Sequence, residues 1–393
     1  EGMTVSSPSV HPRLYWRPRD DLGARRLAEI GAVNLELGGV LPEVTVAFET
    51  WGTLNAARDN AILVLHALTG DSHVSGPADA AHPSAGWWPG IVGSGAAIDT
   101  DEWFVVASNV LGGCQGTTGP SSLAPDGLAW GSRWPRITVR DQVAVEVALA
   151  DQLGIETFAA LIGGSMGGLR ALEWLVGYPE RVASAALLAC CAAASADQIG
   201  TQTVQIQAIT ADPQWNAGDY YDSPEGPPLA GMGVARRIAH LTYRTENELA
   251  VRFGNSPQQG EDALTPEIPG VDVGAGRFAV TSYLDHQAAR LAHRFDAGTY
   301  VTLTDAMSTH DVGRGRGGVA QALSSIEVPV FVAGVTSDRL YPLHLQQQLA
   351  DLIPTASQLC TIESEFGHDG FLIEAEAISE VVTQTVSAAR TNR

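Results

Sequence analysis

Apolar runs of strand length recur along this chain, each followed by a glycine-rich loop or a stretch of helical period. Residues 61–67, 103–108, 158–164, 182–189 and 328–334 are apolar almost throughout, as strands buried on both faces must be. Residues 32–37 and 44–50, separated by Gly38-Gly39, predict an earlier hairpin, and 358–362 a late strand. Between these runs the period becomes helical. Residues 138–154 open on Thr138-x-x-Asp141, which resembles a capping box, carry Val143 and Val147 on one face and end at Gly154. A helix over 169–176 is closed by Gly177 with Pro179 beyond; further helices are predicted over 343–352 and 373–390. Alternating strands and helices predict an α/β fold with a mostly parallel sheet covered on both faces.

The pattern changes between 196 and 316, where helical periodicity dominates. The stretch 232–252 places Val234, Ile238 and Leu241 on one stripe and Arg236, His240 and Tyr243 on another. Residues 282–295 repeat the idea with Leu284, Ala288, Leu291 and Phe295. The intervening 255–276, rich in glycine, proline and acids, reads as a surface loop. The expected organisation is an α/β core formed by 1–195 and 317–393, interrupted by a helical lid at 196–316.

Composition narrows the function classes. With 45% hydrophobic residues the 393-residue chain has ample core, and no apolar run approaches the roughly 20 residues of a membrane span. Residues 1–19 lack the long apolar segment of a signal peptide, so none is expected. A net charge of −21 with only 23 Lys+Arg argues against nucleic acid or an anionic membrane as partner, though a few arginines could still bind a small anion. Cys114, Cys190, Cys191 and Cys360 are too few for a disulfide framework, so reduced thiols and a cytoplasmic location are expected. No Cys/His spacing resembles a zinc site, and no metal is expected.

The chemistry is concentrated at 158–168. Gly163-x-Ser165-x-Gly167 is the pattern of a nucleophile elbow, set between a predicted strand and a predicted helix as that turn requires. Such a serine needs an acid and a base later in the chain. Asp338 follows the strand at 328–334 and His368 follows the strand at 358–362, so both fall on the same sheet edge as Ser165. Asp338 would orient His368, and His368 would take the Ser165 proton. The backbone N–H groups of Met166 and of Leu68, after the strand at 61–67, are the candidate oxyanion donors. Among other histidines, His240, His286 and His293 read as solvated or packed lid residues. His310 precedes Gly313-Arg314-Gly315-Arg316-Gly317-Gly318, a loop that could hold phosphates through Arg314 and Arg316 or serve as a hinge.

With Ser165, Asp338 and His368 in order, six segments carry a closer resemblance: 66–70, 109–120, 163–168, 235–244, 337–342 and 367–370. They span nearly the whole chain, and it resembles the homoserine O-acetyltransferases, α/β-hydrolase-fold acyltransferases of methionine biosynthesis, in particular the mycobacterial branch. The resemblance implies a ping-pong reaction. Ser165 would accept acetyl from acetyl-CoA, a substrate and not a resident cofactor, and the L-homoserine hydroxyl would then attack the acyl-enzyme. It further implies that Arg236 binds the homoserine carboxylate, that Asp369 binds its ammonium group, and that the lid helices form a homodimer. Arg237 leaves the arginine open by one position, and Tyr243, seven residues on, shares the face of Arg236. Three alternatives stand beside this reading: a succinyl donor or a serine acceptor on the same fold, an ester hydrolase, and a non-enzymatic binding module. A transferase must disfavour water at about 55 M, roughly 10⁴- to 10⁵-fold against its acceptor.

Overall fold

The computed structural model describes residues 15–266 and 276–391. The apolar runs pair into one eight-stranded sheet of order β1-β2-β6-β3-β7-β8-β9-β10. Its strands are β1 (Arg26–Asn34), β2 (Val40–Trp51), β3 (Ala61–Leu65), β6 (Phe104–Ser108), β7 (Ala160–Gly164), β8 (Ala185–Leu188), β9 (Val330–Val335) and β10 (Cys360–Ile362); β4 (Val92–Gly93) and β5 (Ile98–Asp99) form a separate parallel pair. From β6 onward to β10 all neighbours are parallel, while β1 and β2 join antiparallel. The first strand lies several residues earlier than its apolar signal, because β1 is a half-exposed edge with few buried positions and its register breaks at Gly31.

Alternation within each strand divides the core between the two faces. Leu63, Leu65, Leu161 and Leu187 pack beneath helices α1 (Val139–Gln152) and α2 (Met166–Gly177). Ile62, Val64, Ile162 and Leu188 point the other way. They meet Ile378, Val382 and Val386 of the C-terminal helix, Ala375–Thr391. The capping box at α1 forms as read: Thr138 accepts from the Asp141 N–H, and the Asp141 carboxylate accepts from the Thr138 N–H at 2.8 Å.

Between β8 and β9 the described elements are helical: α3 (Ala196–Thr210), α4 (Leu229–Tyr243), α5 (Glu246–Phe253), α6 (Ala279–Ala292), α7 (Ala297–Ser308) and the short α8 (Val319–Ser324). The core then closes with α9 (Leu343–Leu352), α10 (Gly370–Ile373) and α11, the C-terminal helix. Of the loop read over 255–276, residues 267–275 lie outside the described residues.

One expectation for this block is corrected. The single helix expected over 232–252 is broken after Tyr243, where Thr245 caps α5 by accepting from the Glu248 N–H. Of its two stripes the polar one is turned inward: Val234 and Leu241 are 46% and 40% exposed, whereas Arg236 and His240 are buried. Met232 and Ala235 of this helix reach the apolar core, while Arg236, His240 and Tyr243 line a cavity beside it.

Candidate active site

β7 and α2 hold Ser165 in a backbone conformation that few side chains adopt, φ 53° and ψ −125°. The turn is too tight for side chains on either flank. A Cβ on Gly163 would lie 2.3 Å from the Gly167 carbonyl oxygen, and one on Gly167 would lie 2.1 Å from that of Leu65. Ser165 donates its N–H to Leu188 O at 2.9 Å and accepts from the Leu169 N–H at 3.1 Å, so the elbow is tied to both β8 and its helix.

His368 and Asp338 form a hydrogen-bonded chain with Ser165. His368 Nε2 lies 2.8 Å from Ser165 Oγ, and Nδ1 lies 2.7 Å from Asp338 Oδ2. The other Asp338 oxygen accepts the N–H groups of Leu340 and Tyr341, so the carboxylate cannot rotate away. A carboxylate only accepts, so Nδ1 carries the proton and the Nε2 lone pair faces the Ser165 hydroxyl. Burial disfavours the imidazolium, but the charge and hydrogen bond of Asp338, helped by Asp369, outweigh it and raise the His368 pKa. Tyr341 stacks on the ring with centroids 5.0 Å apart.

The loop after β3 places Leu68 beside the serine. Met166 is the first residue of α2, so its N–H has no partner in the helix ladder, and among the described residues no hydrogen bond uses the Leu68 N–H. Buried groups fix this loop. His66 donates Nδ1–H to Ala67 O and accepts the Val110 N–H at Nε2; burial, then Arg170, push its pKa down to about 3, so it stays neutral. Arg294 donates to Thr69 O at 2.8 Å from the helical block.

Ser165 and His368 open into a cavity of about 530 Å³ roofed by α4 and α6. Five arginines line it (Arg236, Arg244, Arg252, Arg290 and Arg294) against one carboxylate, Asp369; Glu248 pairs with Arg244 and Arg252, which leaves Arg236, Arg290 and Arg294 in excess. In a chain of net charge −21 this local excess selects for anions. Arg236 is the sharpest feature. Its side chain is buried, makes no hydrogen bond or ion pair among the described residues, and leaves Nε and Nη1 unpartnered beside the Tyr243 ring, 5.7 Å from guanidinium to centroid. Asp369 is held by Arg244 at 3.2 Å; burial raises its carboxyl pKa against the opposing effects of His368 and Arg244.

The structure thus brings Ser165, Asp338, His368, Leu68, Met166, Arg236, Tyr243 and Asp369 to one place. Arg237, the other candidate for a carboxylate, instead pairs with Asp285 at 2.9 Å and does not line the cavity. Arg314 and Arg316 are not brought to the cavity. Arg314 is engaged by Glu36 at 2.5 Å, and Arg316 by the buried Glu173 at 2.9 Å. The Gly-Arg-Gly-Arg loop therefore neutralises the buried Glu173 and the exposed Glu36. His310 is likewise internal, with Nε2 2.7 Å from Cys191 O. Arg290 and Arg294 escaped the sequence reading, although Gln287, Arg290, Leu291 and Arg294 recur at helical spacing and all line the cavity. His240, a packed residue as one reading had it, lines the cavity too; burial, then the nearby arginines, push its pKa down to about 3.

A second cluster has the composition of a metal site. Potential ligand atoms of Glu49, His73 and His82 lie within 4.8 Å of one another. His73, however, faces an acceptor at each ring nitrogen, Glu49 Oε1 at 2.8 Å and Pro77 O at 3.0 Å. It is therefore an imidazolium, stacked on His82, whose Nε2 accepts the Ala24 N–H. The donor set fits an ion pair that braces the loop, not a cation.

Comparison with known proteins agrees with this geometry. The alpha/beta hydrolase fold family matches residues 60–375. The homoserine O-acetyltransferase of Nocardia farcinica is 58% identical over 94% of both chains, and that of Mycobacterium tuberculosis 57% identical over 92% of this chain and 93% of its own. Among solved structures, a homoserine O-acetyltransferase from Bacillus anthracis superposes with TM-score 0.82 at 26% identity, covering 92% of this chain and 97% of its own. An esterase superposes equally well, with TM-score 0.82 at 28% identity over 92% and 99% of the two chains. The fold and the serine site define an α/β-hydrolase-fold protein equipped for acyl transfer. The chain belongs to the homoserine O-acetyltransferase family, with mycobacterial members among its relatives.

Proposed function

We propose that this chain transfers acetyl from acetyl-CoA to the side-chain hydroxyl of L-homoserine through an acetyl-Ser165 intermediate. His368 removes the Ser165 proton as Oγ attacks the thioester, and the Leu68 and Met166 N–H groups receive the oxyanion. The C–S bond breaks and CoA departs with the proton from His368. The homoserine hydroxyl enters on the same side, gives its proton to His368, and attacks the acyl carbon; Ser165 recovers the proton as it leaves. Arg236 takes the homoserine carboxylate as a fork, Asp369 the ammonium group, and Tyr243 the apolar stem between them.

The observation that carries this reading is the buried, unpartnered Arg236 guanidinium across the cavity from the triad. A buried cation without an anion costs stability, and the site keeps one open. With Asp369 it forms a clamp for a zwitterion, which separates the acyltransferase from the ester hydrolase that the solved esterase would suggest. Arg290 and Arg294, and not Arg314 or Arg316, offer the CoA phosphates their cationic lining. The helical block then acts as a lid that orients the acceptor and excludes water.

Exposed apolar side chains on α3 and α4 (Ile199, Val204, Leu229, Val234 and Leu241) support a homodimer through these helices. No described helix is long and apolar enough to cross a membrane, and all four cysteines are free, in keeping with a cytoplasmic enzyme. Stopped-flow release of CoA tests the mechanism. A burst equal to the enzyme concentration, formed without homoserine, is expected; CoA release only when both substrates are present would overturn the ping-pong order.

A further inference from the structure

Ser165 borders a second space besides the main cavity. A side pocket of about 30 Å³ opens on its other flank, lined by Leu68, Gln205, Met307, Leu340 and Tyr341. Ser165, Leu68 and Tyr243 belong to both spaces, so the nucleophile sits on the partition between them. The walls of the side pocket are fixed. Gln205, on α3, accepts the Tyr300 hydroxyl at 2.5 Å, Gln202 accepts the Ser308 hydroxyl at 2.6 Å, and Tyr341 is stacked on His368.

We propose that this side pocket receives the alkyl end of the acyl group on Ser165 and limits it to two or three carbons. The inference rests on the acyltransferase reading above and follows from the substituents of the reacting carbon. Its oxygen points to the Leu68 and Met166 N–H groups, and one bond runs to Ser165 Oγ. Both the departing thiol and the incoming hydroxyl exchange protons with His368, so they occupy the main cavity. The remaining substituent is left the opposite flank, where Leu68, Leu340 and Met307 offer apolar contact. A water-sized group needs roughly 10–15 Å³ of such space. A pocket of about 30 Å³ therefore accepts about two such groups, the methyl of acetyl or the ethyl of propionyl, and has no room for the further carbon and carboxylate of a succinyl chain. Met307, on α7 and buried, forms the removable part of the wall.

The test is acylation of Ser165 by a series of thioesters (acetyl-, propionyl-, butyryl- and succinyl-CoA), followed by CoA release and the mass of the intact protein. In the wild type, butyryl- and succinyl-CoA are expected to acylate roughly 100-fold less efficiently than acetyl-CoA. Met307→Ala is expected to narrow the butyryl-to-acetyl ratio at least about tenfold, because it empties the pocket beyond Cβ. Succinyl-CoA acylating the wild type as well as acetyl-CoA would overturn the assignment without any variant, since it would direct the chain into the arginine-lined cavity. An unchanged ratio in a folded, acetyl-reactive Met307→Ala would overturn it too. Failure of acetyl-CoA itself to acylate Ser165 would instead remove the acyltransferase reading beneath it.

Discussion

Replacing Arg236 by methionine should move stability and activity in opposite directions. The substitution keeps most of the side-chain length and removes the charge. In the free protein Nε and Nη1 are buried without partners, so loss of the guanidinium relieves a desolvation cost of about 1–3 kcal/mol. The melting temperature of the variant is therefore expected to equal or exceed that of the wild type. A carboxylate on the guanidinium fork makes two charge-assisted hydrogen bonds, each worth about 1.5–3 kcal/mol. Losing the fork should cost about 3–4 kcal/mol, or roughly 10²–10³-fold in kcat/KM for homoserine. Acylation by acetyl-CoA does not use this fork. The assay is scanning fluorimetry together with the two half-reactions measured separately, CoA release without acceptor and discharge of the acyl-enzyme by homoserine. Loss of several degrees in Tm, or an equal fall in both half-reactions, would refute the reasoning by making Arg236 a structural or general cationic residue.

Other expectations follow from the same geometry. Asp338→Asn, which offers Nδ1 the wrong partner and removes the charge beside the imidazole, should lower kcat roughly 10⁴-fold with the fold retained, measured by steady-state turnover and circular dichroism. Because the folded His368 pKa is raised above the usual value near 6.5, kcat/KM for acetyl-CoA should fall on the acid side with a midpoint above about 6.5. The stability linkage has the opposite sense: the His368–Asp338 contribution is fully present below the unfolded value and is lost as pH rises through the folded one, which denaturant midpoints across that window would show. Arg316→Ala should destabilise the protein by about 1–3 kcal/mol, since Glu173 is buried and keeps only Arg140 at 3.4 Å, while leaving KM for acetyl-CoA unchanged. An increase in that KM would return the loop to CoA binding. Asp369→Asn should bring homoserine down to the level of its des-amino analogue in the discharge step.

How much of this was legible in the sequence depended on whether local constraints or tertiary ones govern each residue. The elbow was legible because close backbone approach at Gly163 and Gly167 excludes side chains, and the capping box because both its partners lie within one turn. Asp338 and His368 could be placed because parallel strands bring successive loops to one sheet edge. The helical character of the block between β8 and β9 was legible, the orientation of its helices was not. The two stripes of 232–252 were legible, but only the structure shows that α4 covers a charged cavity and turns Arg236 and His240 toward it. The break after Tyr243 was hidden because 232–252 keeps its helical period; only Thr245 with Glu248 three residues on signals a new cap. Arg314 and Arg316 misled for a related reason. A glycine–arginine loop looks like an anion site until the buried Glu173 and the nearby Glu36, distant in sequence, are seen to occupy both guanidinium groups.

The central claim is a covalent acetyl-Ser165 intermediate whose acyl group passes to homoserine. Its most direct test is peptide mass spectrometry of the protein quenched after mixing with acetyl-CoA, with and without homoserine. The account predicts an acetyl group on the peptide bearing Ser165, absent from Ser165→Ala, which homoserine discharges as O-acetylhomoserine faster than water discharges it. An acetyl group that persists on the Ser165→Ala protein, or one that water removes as fast as homoserine does, would contradict it.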